Sequence, residues 1–273
     1  MMPFAEGSAF CKINLSLKLG GRRPDGYHSV RTVMQTVSLC DTLEFRPSEG
    51  PSSLVVDGLS GGIPVSGDNL VLRAVRLVLE RFASSGGYEI RLVKRVPSMA
   101  GLGGGSSDAA LALRVVGGRF GMSRRELAEM AAELGSDVPF FCYGGRAECS
   151  GRGEIVRSLP DAAVRGVVIV KPPFGISTGE AYALWDSYMA ENGLVPGDSG
   201  NDFEYALAGR YPLLGRLKSR LYGLGAEYAS LSGSGSAVFG LFPDYERACA
   251  AAADPFLNES GDVYRAVTVP AGS

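Results

Sequence analysis

The chain has 273 residues, 27 basic against 29 acidic, and a net charge of −2, so no basic excess points to nucleic acid or to an anionic membrane surface. A composition 45% hydrophobic and 21% charged is that of a globular protein with room for one large domain or two smaller ones. The five cysteines include no Cys-x-x-Cys pair, and no stretch approaches the roughly 18 apolar residues of a membrane span. Reduced, mostly buried thiols in a cytoplasmic protein are the expectation, and Glu6 with no long apolar run at the start argues against a secretory signal.

Residues 8–20 alternate, with Lys12, Asn14, Ser16 and Lys18 on one side and Ile13, Leu15, Leu17 and Leu19 on the other, which predicts a half-buried strand. A turn-rich loop follows over 20–26, then one or two strands over 27–45 with a break near Cys40 and Asp41. Segment 47–67 reads as a variable surface loop. Asp68 is placed to cap a helix from Asn69 to about Phe82, with Leu72, Val75, Leu79 and Phe82 on one face; Gly86 and Gly87 stop it, and 88–94 alternate as a strand. After a glycine-rich loop comes an apolar helix to about Val116. Ser123 and Glu126 form a capping box for a further helix, with Leu127, Met130, Ala131 and Leu134 at helical spacing and Gly135 as its stop.

The texture changes near Pro160, which predicts two domains, 1–160 and 161–273. In the second, Val164–Lys171 reads as a strand and Ser177 with Glu180 as another capping box opening a helix to about Ala190. A glycine-rich loop over 192–201 and two short helices split by Pro212 follow. Strands near 226–231 and 237–242, a helix over 244–253 and a strand over 262–269 complete the chain. With the central helices left out, the order is β-α-β-β-α-β, a ferredoxin-like pattern, and the class is α+β.

Pro97-Ser-Met-Ala-Gly-Leu-Gly-Gly-Gly-Ser-Ser-Asp108 lies between a predicted strand and helix. Gly101, Gly103, Gly104 and Gly105 let backbone N–H groups approach an anion, and the helix presents its positive end there. Ser106 and Ser107 add hydroxyls. The loop has neither the Gly-Lys pair of a Walker loop nor the third glycine of a dinucleotide fingerprint. A phosphate cradle and a turn that permits close packing both fit. A second cluster, Leu231-Ser-Gly-Ser-Gly-Ser236, reads as an anion-facing turn against the first loop or as a tight β-turn.

Transfer of a phosphoryl group to an alcohol needs alignment, charge neutralisation and an acceptor for the alcohol's proton. Asp137, in Leu134-Gly-Ser-Asp-Val-Pro-Phe-Phe141, and Lys12 have suitable chemistry. By themselves they also read as a helix-terminal or turn aspartate, which is common, and a solvent-facing strand lysine, the reading that Lys12 alone favours. A single histidine, His28, argues against a Ser-His-Asp triad and a multi-histidine metal site. Tyr27 and His28 could stack on and hydrogen-bond to a base, or form an ordinary half-buried strand pair.

Four segments, in order, carry a resemblance that covers most of the chain. Pro97–Ala110 and Leu231–Gly235 resemble the phosphate loop and the C-terminal glycine motif of the galactokinase, homoserine kinase, mevalonate kinase and phosphomevalonate kinase (GHMP) superfamily. Lys12-Ile-Asn-Leu with Gly21–His28, and Leu134–Phe141, resemble the 4-diphosphocytidyl-2-C-methyl-D-erythritol kinases of the non-mevalonate isoprenoid pathway. The resemblance implies a two-domain GHMP kinase fold, an S5-domain-2-like nucleotide domain followed by the ferredoxin-like one, with the site in the cleft between them.

It also implies ATP and magnesium as cofactors and phosphorylation of the 2-hydroxyl of a cytidine diphosphate-linked methylerythritol. Asp137 would be the base and Lys12 the contact to the accepting hydroxyl. Asn14 and Thr178 would lie on the substrate side, His28 with Tyr27 and Tyr182 would hold the cytosine, and Ser107 is a candidate magnesium ligand. Asn69, Lys94, Pro97, Ala100 and Leu102, with the glycines and serines of the loop, would face the nucleotide. Met99 stands where the pattern has a small residue. A monomer or weak homodimer is the expected assembly. The alternatives are another small-alcohol kinase of the same superfamily and a catalytically silent ATP-binding module; the aromatic set argues against the first, Lys12 with Asp137 against the second.

Overall fold

The computed structural model describes residues 5–58, 67–193 and 200–272. Two long strands open the chain, β1 (Ala5–Arg22) and β2 (His28–Ser48), paired antiparallel along most of their length. The break expected near Cys40 and Asp41 is absent, and β2 runs through it. Asp41 can sit inside the strand because its buried carboxylate accepts hydrogen bonds from Arg95 N at 2.6 Å and Val96 N at 2.9 Å. β3 (Ser53–Gly58) lies in the segment read as a surface loop and runs parallel to β4 (Gly87–Lys94); residues 59–66 of that segment are outside the described ones.

Helix α1 (Leu70–Arg81) separates β3 from β4, and its cap is Asn69, not Asp68: Asn69 Oδ1 accepts from Val71 N at 2.9 Å. Its buried face is Val71, Leu72, Ala74, Val75 and Val78, which leaves Phe82 on the surface, stacked on Phe120. α2 (Gly104–Gly118) starts within the glycine loop. α3 (Arg124–Ala131) carries the expected capping box and buries Leu127, Met130 and Ala131. α4 (Val138–Tyr143) was not expected, and β5 (Arg146–Ser150) and β6 (Ile155–Ser158) complete a six-stranded sheet, ordered β3-β4-β2-β5-β6 with β1 also on β2.

The second sheet is ordered β10-β7-β9-β8, from β7 (Gly166–Lys171), β8 (Tyr228–Leu231), β9 (Val238–Phe242) and β10 (Asp262–Val267), all pairs antiparallel. This is the strand arrangement of the ferredoxin-like pattern. Between β7 and β8 come α5 (Thr178–Asn192), α6 (Phe203–Leu207) and α7 (Pro212–Gly223); residues 194–199 of the expected glycine-rich loop are outside the described ones. α7, left out of the predicted pattern as a short central helix, buries Leu214, Leu217 and Leu221 and packs on β8 and β9, whereas α5 packs on α6. Ser177 caps α5, but Glu180 does not reach back: its carboxylate accepts from the Tyr211 hydroxyl at 2.7 Å. α8 (Tyr245–Ala252) covers β7, and α9 (Pro255–Ser260) is an additional helix capped by Asp254.

Three apolar cores result. One lies between the first sheet and α1–α4, and a second between the second sheet and its helices. The third joins the two sheets, with Cys11, Ile13 and Val37 from the first against Ile169, Phe239 and Ala266 from the second. Each large side chain buried there contributes about 1.5–3 kcal/mol. This central core fixes the spacing of the loops that face each other above it.

Candidate active site

A cavity of about 400 Å³ opens where these loops meet. Its floor is the glycine loop. Gly103 caps α2 in the left-handed region, φ +70, so Gly104 and Gly105 form the first helical turn and the free amides of that turn face the cavity. Gly101, φ +72, has no room for a side chain, because a Cβ would lie 1.9 Å from Ser232 O. The second glycine cluster therefore meets the first backbone to backbone, with Ala237 N donating to Ala100 O at 3.1 Å and Ser232 Oγ to Gly101 O at 2.9 Å. The cluster is a tight turn, with Gly235 N donating to Ser232 O at 2.9 Å, and it is also packed against the loop; Gly233, Ser234 and Gly235 line the cavity.

Lys12 and Asn14 are not on a solvent-facing edge; they are 2% and 1% exposed. Bulges in β1 on either side, at Phe10/Lys12 and Asn14/Ser16, turn the pair toward the cavity. Lys12 Nζ donates to Gly101 O and Asn14 Oδ1, each at 2.7 Å, and lies 3.4 Å from Asp137 Oδ2. Two of the ammonium's three donors are thus used in hydrogen bonds, and the contact to Asp137 is an ion pair. Asn14 Nδ2 donates to Thr32 Oγ1 at 2.8 Å, which holds its amide in one orientation. Asp137 is the first residue of the turn into α4, makes no capping bond there, and keeps a third of its side chain exposed.

Pro97, Ala100, Leu102, Ser106, Thr178 and Tyr182 line the same cavity. Thr178 lies 3.5 Å from Ser234, Oγ to Oγ. Burial, and then the Asp137 charge, push the Tyr182 hydroxyl up to about 12. Met99, φ +51 and exposed, lies over Gly175 at the rim.

Four expected site residues are placed otherwise. Ser107 faces away from the cavity and its Oγ donates to Phe10 O at 2.7 Å, so Ser106 is the serine of the pair that the cavity receives. Asn69 is occupied in capping α1. Tyr27 is 54% exposed, with the Arg152 guanidinium 4.9 Å from its ring centre. His28 is buried, stacks directly on Tyr182 at 4.9 Å, and shares a 2.7 Å hydrogen bond with Asp186. The three aromatics therefore do not frame an open slot.

Lys94 also lines the cavity, but its ammonium is held from behind by two buried carboxylates, Asp41 and Asp108, the latter at 2.8 Å. Burial works against the Lys94 charge, and the two carboxylates outweigh it. Burial pushes Asp108 up to about 7, against the pull of Lys94 and with the repulsion of Asp41. Its Oδ1 has no hydrogen-bond partner. Sequence reasoning missed Asp41 and Asp108, and it missed Arg152, whose only signal was the Gly151-Arg-Gly153 punctuation of its loop. Among the described residues there is no cluster of three or more His, Cys, Asp or Glu fit for a metal, and no helix is long and apolar enough to cross a membrane.

The GHMP kinases N terminal domain family matches residues 69–145 and the GHMP kinases C terminal family matches residues 185–254. A 4-diphosphocytidyl-2-C-methyl-D-erythritol kinase from Solibacter usitatus is 41% identical over 260 residues, 86% of this chain and 80% of the relative. The enzyme of the same name from Pelotomaculum thermopropionicum is 42% identical over 259 residues, 88% of this chain and 90% of the relative. The crystal structure of a 4-(cytidine 5'-diphospho)-2C-methyl-D-erythritol kinase superposes with a TM-score of 0.80 at 32% identity, covering 98% of this chain and 100% of that one.

Proposed function

This chain belongs to the 4-diphosphocytidyl-2-C-methyl-D-erythritol kinase family of the GHMP kinases, and from that premise we propose how its cleft moves the γ-phosphoryl group of ATP to the 2-hydroxyl of that alcohol. The reading rests above all on Lys12 standing 3.4 Å from Asp137 and 2.7 Å from Gly101 O of the glycine loop. Asp137 takes the hydroxyl proton as the oxygen attacks the γ-phosphorus. The bond from that phosphorus to the β–γ bridging oxygen breaks, and ADP carries the electron pair away. Lys12 offsets charge on the attacking oxygen and the transferring group. The partial exposure of Asp137 gives the proton a way out to solvent.

The first-turn amides of α2 bind the polyphosphate, and Ser106, Gly233 and Ser234 close around it. Magnesium commonly keeps most of its waters and takes one or two protein ligands beside the phosphates, so the absence of a carboxylate cage among the described residues fits it. Ser106 Oγ is the protein oxygen that would hold it, and the ion would neutralise phosphate charge. The cytosine stacks on the cleft side of Tyr182, which His28 supports from behind. Residues 1–160 supply the nucleotide and catalytic groups and 161–273 the substrate side. A monomer or weak homodimer is the proposed assembly, and free thiols buried at Cys11, Cys142 and Cys149 suit the cytoplasm.

The test is ADP release from magnesium-ATP with 4-diphosphocytidyl-2-C-methyl-D-erythritol, against 2-C-methyl-D-erythritol 4-phosphate, which lacks the cytidyl group. Release with the full substrate alone is expected. Release with neither, from a chain that still binds ATP, would overturn the assignment.

A further inference from the structure

Behind α2 from the cleft lies a second cavity, of about 230 Å³, and the two share no lining residue. Two arginines line it, Arg114 from α2 and Arg124 from the start of α3. Neither has an ion pair or hydrogen bond among the described residues, whereas the next residue, Arg125, pairs with Glu129 at 2.9 Å. No aspartate or glutamate is among the described lining residues, and both arginines are exposed, so among the described residues their charge is met by solvent and not by a carboxylate. Both arginines draw the Cys142 thiol downward against its burial, which places their charge at the cavity wall.

A second observation is independent of the arginines. Thr36, on β2, lines the cavity and is 5% exposed. Its backbone is satisfied, with Thr36 N donating to Gly145 O at 2.8 Å and Val269 N donating to Thr36 O at 2.9 Å. Its Oγ1 is buried with no partner. Buried hydroxyls are normally bonded, and this one lacks an acceptor. Leu111, Leu127 and Phe141 supply an apolar wall.

We propose that this cavity is a second binding site, for a small molecule that carries a phosphate or diphosphate on a compact apolar body. Arg114 and Arg124 supply the charge, since guanidinium forks match phosphate oxygens, and the Thr36 hydroxyl, now closed off from the cavity, donates once an occupant displaces the wall that covers it. One ring connects this site to the cleft. A Cβ on Gly103 would lie 2.8 Å from Phe141 Cζ and 3.2 Å from Lys12 Cε, so Phe141 is both a wall of the second cavity and the backing of the glycine loop. An occupant that shifts Phe141 alters Gly103. That coupling, unlike the site itself, rests on the glycine loop being the ATP site.

The experiment is calorimetric titration of inorganic pyrophosphate into the full chain with its cleft saturated by magnesium and a non-hydrolysable ATP analogue. Wild type should show a single remaining site. Arg114→Gln with Arg124→Gln should weaken it about tenfold or more, with basal turnover within about twofold of wild type. Thr36→Val should weaken binding and leave the protein at least as stable to heat, because it removes an unbonded hydroxyl. Absence of pyrophosphate binding in wild type would overturn the proposal, as would equal weakening in a control that removes two remote charges, Arg76→Gln with Arg247→Gln. Failure of the kinase reading would register separately, as absent ADP release with pyrophosphate binding intact.

Discussion

Lys12 Nζ stands 3.4 Å from Asp137 Oδ2 while donating to the carbonyl of Gly101 at 2.7 Å. One ammonium thus ties Asp137, the proposed proton acceptor, to the glycine loop, and loss of the carboxylate should be felt in turnover more than in binding. Asp137→Asn is expected to lower kcat by roughly 10² or more, with KM for ATP within about twofold. Steady-state ADP release at saturating substrates measures it, and turnover like that of wild type would remove Asp137 from its role.

Gly101→Ala should disable the cleft by unfolding its floor. The residue needs φ +72, and the added methyl would meet Ser232 O at 1.9 Å, backbone that cannot swing aside. A cost of about 2 kcal/mol or more is expected, a fall in Tm of at least about 4 °C for a chain of this size. Gly118→Ala, where a Cβ meets nothing within 4 Å, should leave Tm unchanged or slightly raised in the same calorimetric scan.

Tyr182→Ala removes the face proposed to stack on the base and the ring that covers His28. KM for the cytidyl substrate should rise about tenfold while KM for ATP holds. An equal rise in both constants would mean that the substitution had collapsed the cleft.

Asp108 gives stability a pH dependence of definite sign. Its folded carboxyl keeps a proton up to about 7, against 3.8 as the ordinary value. Between those limits the folded state binds more protons than the unfolded one, so this contribution is complete at the acid end and is lost as pH rises. Asp108→Asn should therefore raise Tm relative to wild type more at about pH 7 than at about pH 5. A difference constant across that range would show Asp108 to be ionised throughout.

Local signals made much of this molecule legible. The capping box at Ser123, the β-α-β-β-α-β order and the run of glycines each depend on neighbours in sequence, and the structure bears them out. Distance in sequence hid the rest. Asp41 meets Lys94 across 53 positions, and nothing near Asp41 announces a buried ion pair, so it read as a strand break. Helical phase hid the choice between Ser106 and Ser107. Once α2 begins at Gly104, adjacent residues point about 100° apart, and only Ser106 faces the cleft. The packing of His28 on Tyr182 is equally out of reach, since it brings the end of the turn-rich loop onto a helix of the other half.

The segment after β10 returns to the first sheet: Thr268 bridges Val37, Ala271 bridges Gly144, and Gln35 Nε2 donates to Val269 O across 234 positions. During synthesis, β2 leaves the ribosome long before these partners exist. The wall of the second cavity that includes Gly144 and Phe141 is thus finished only after the ferredoxin-like half has emerged. A nascent chain stalled before residue 267 would hold every group of the cleft and still lack the strap that closes the sheet behind it.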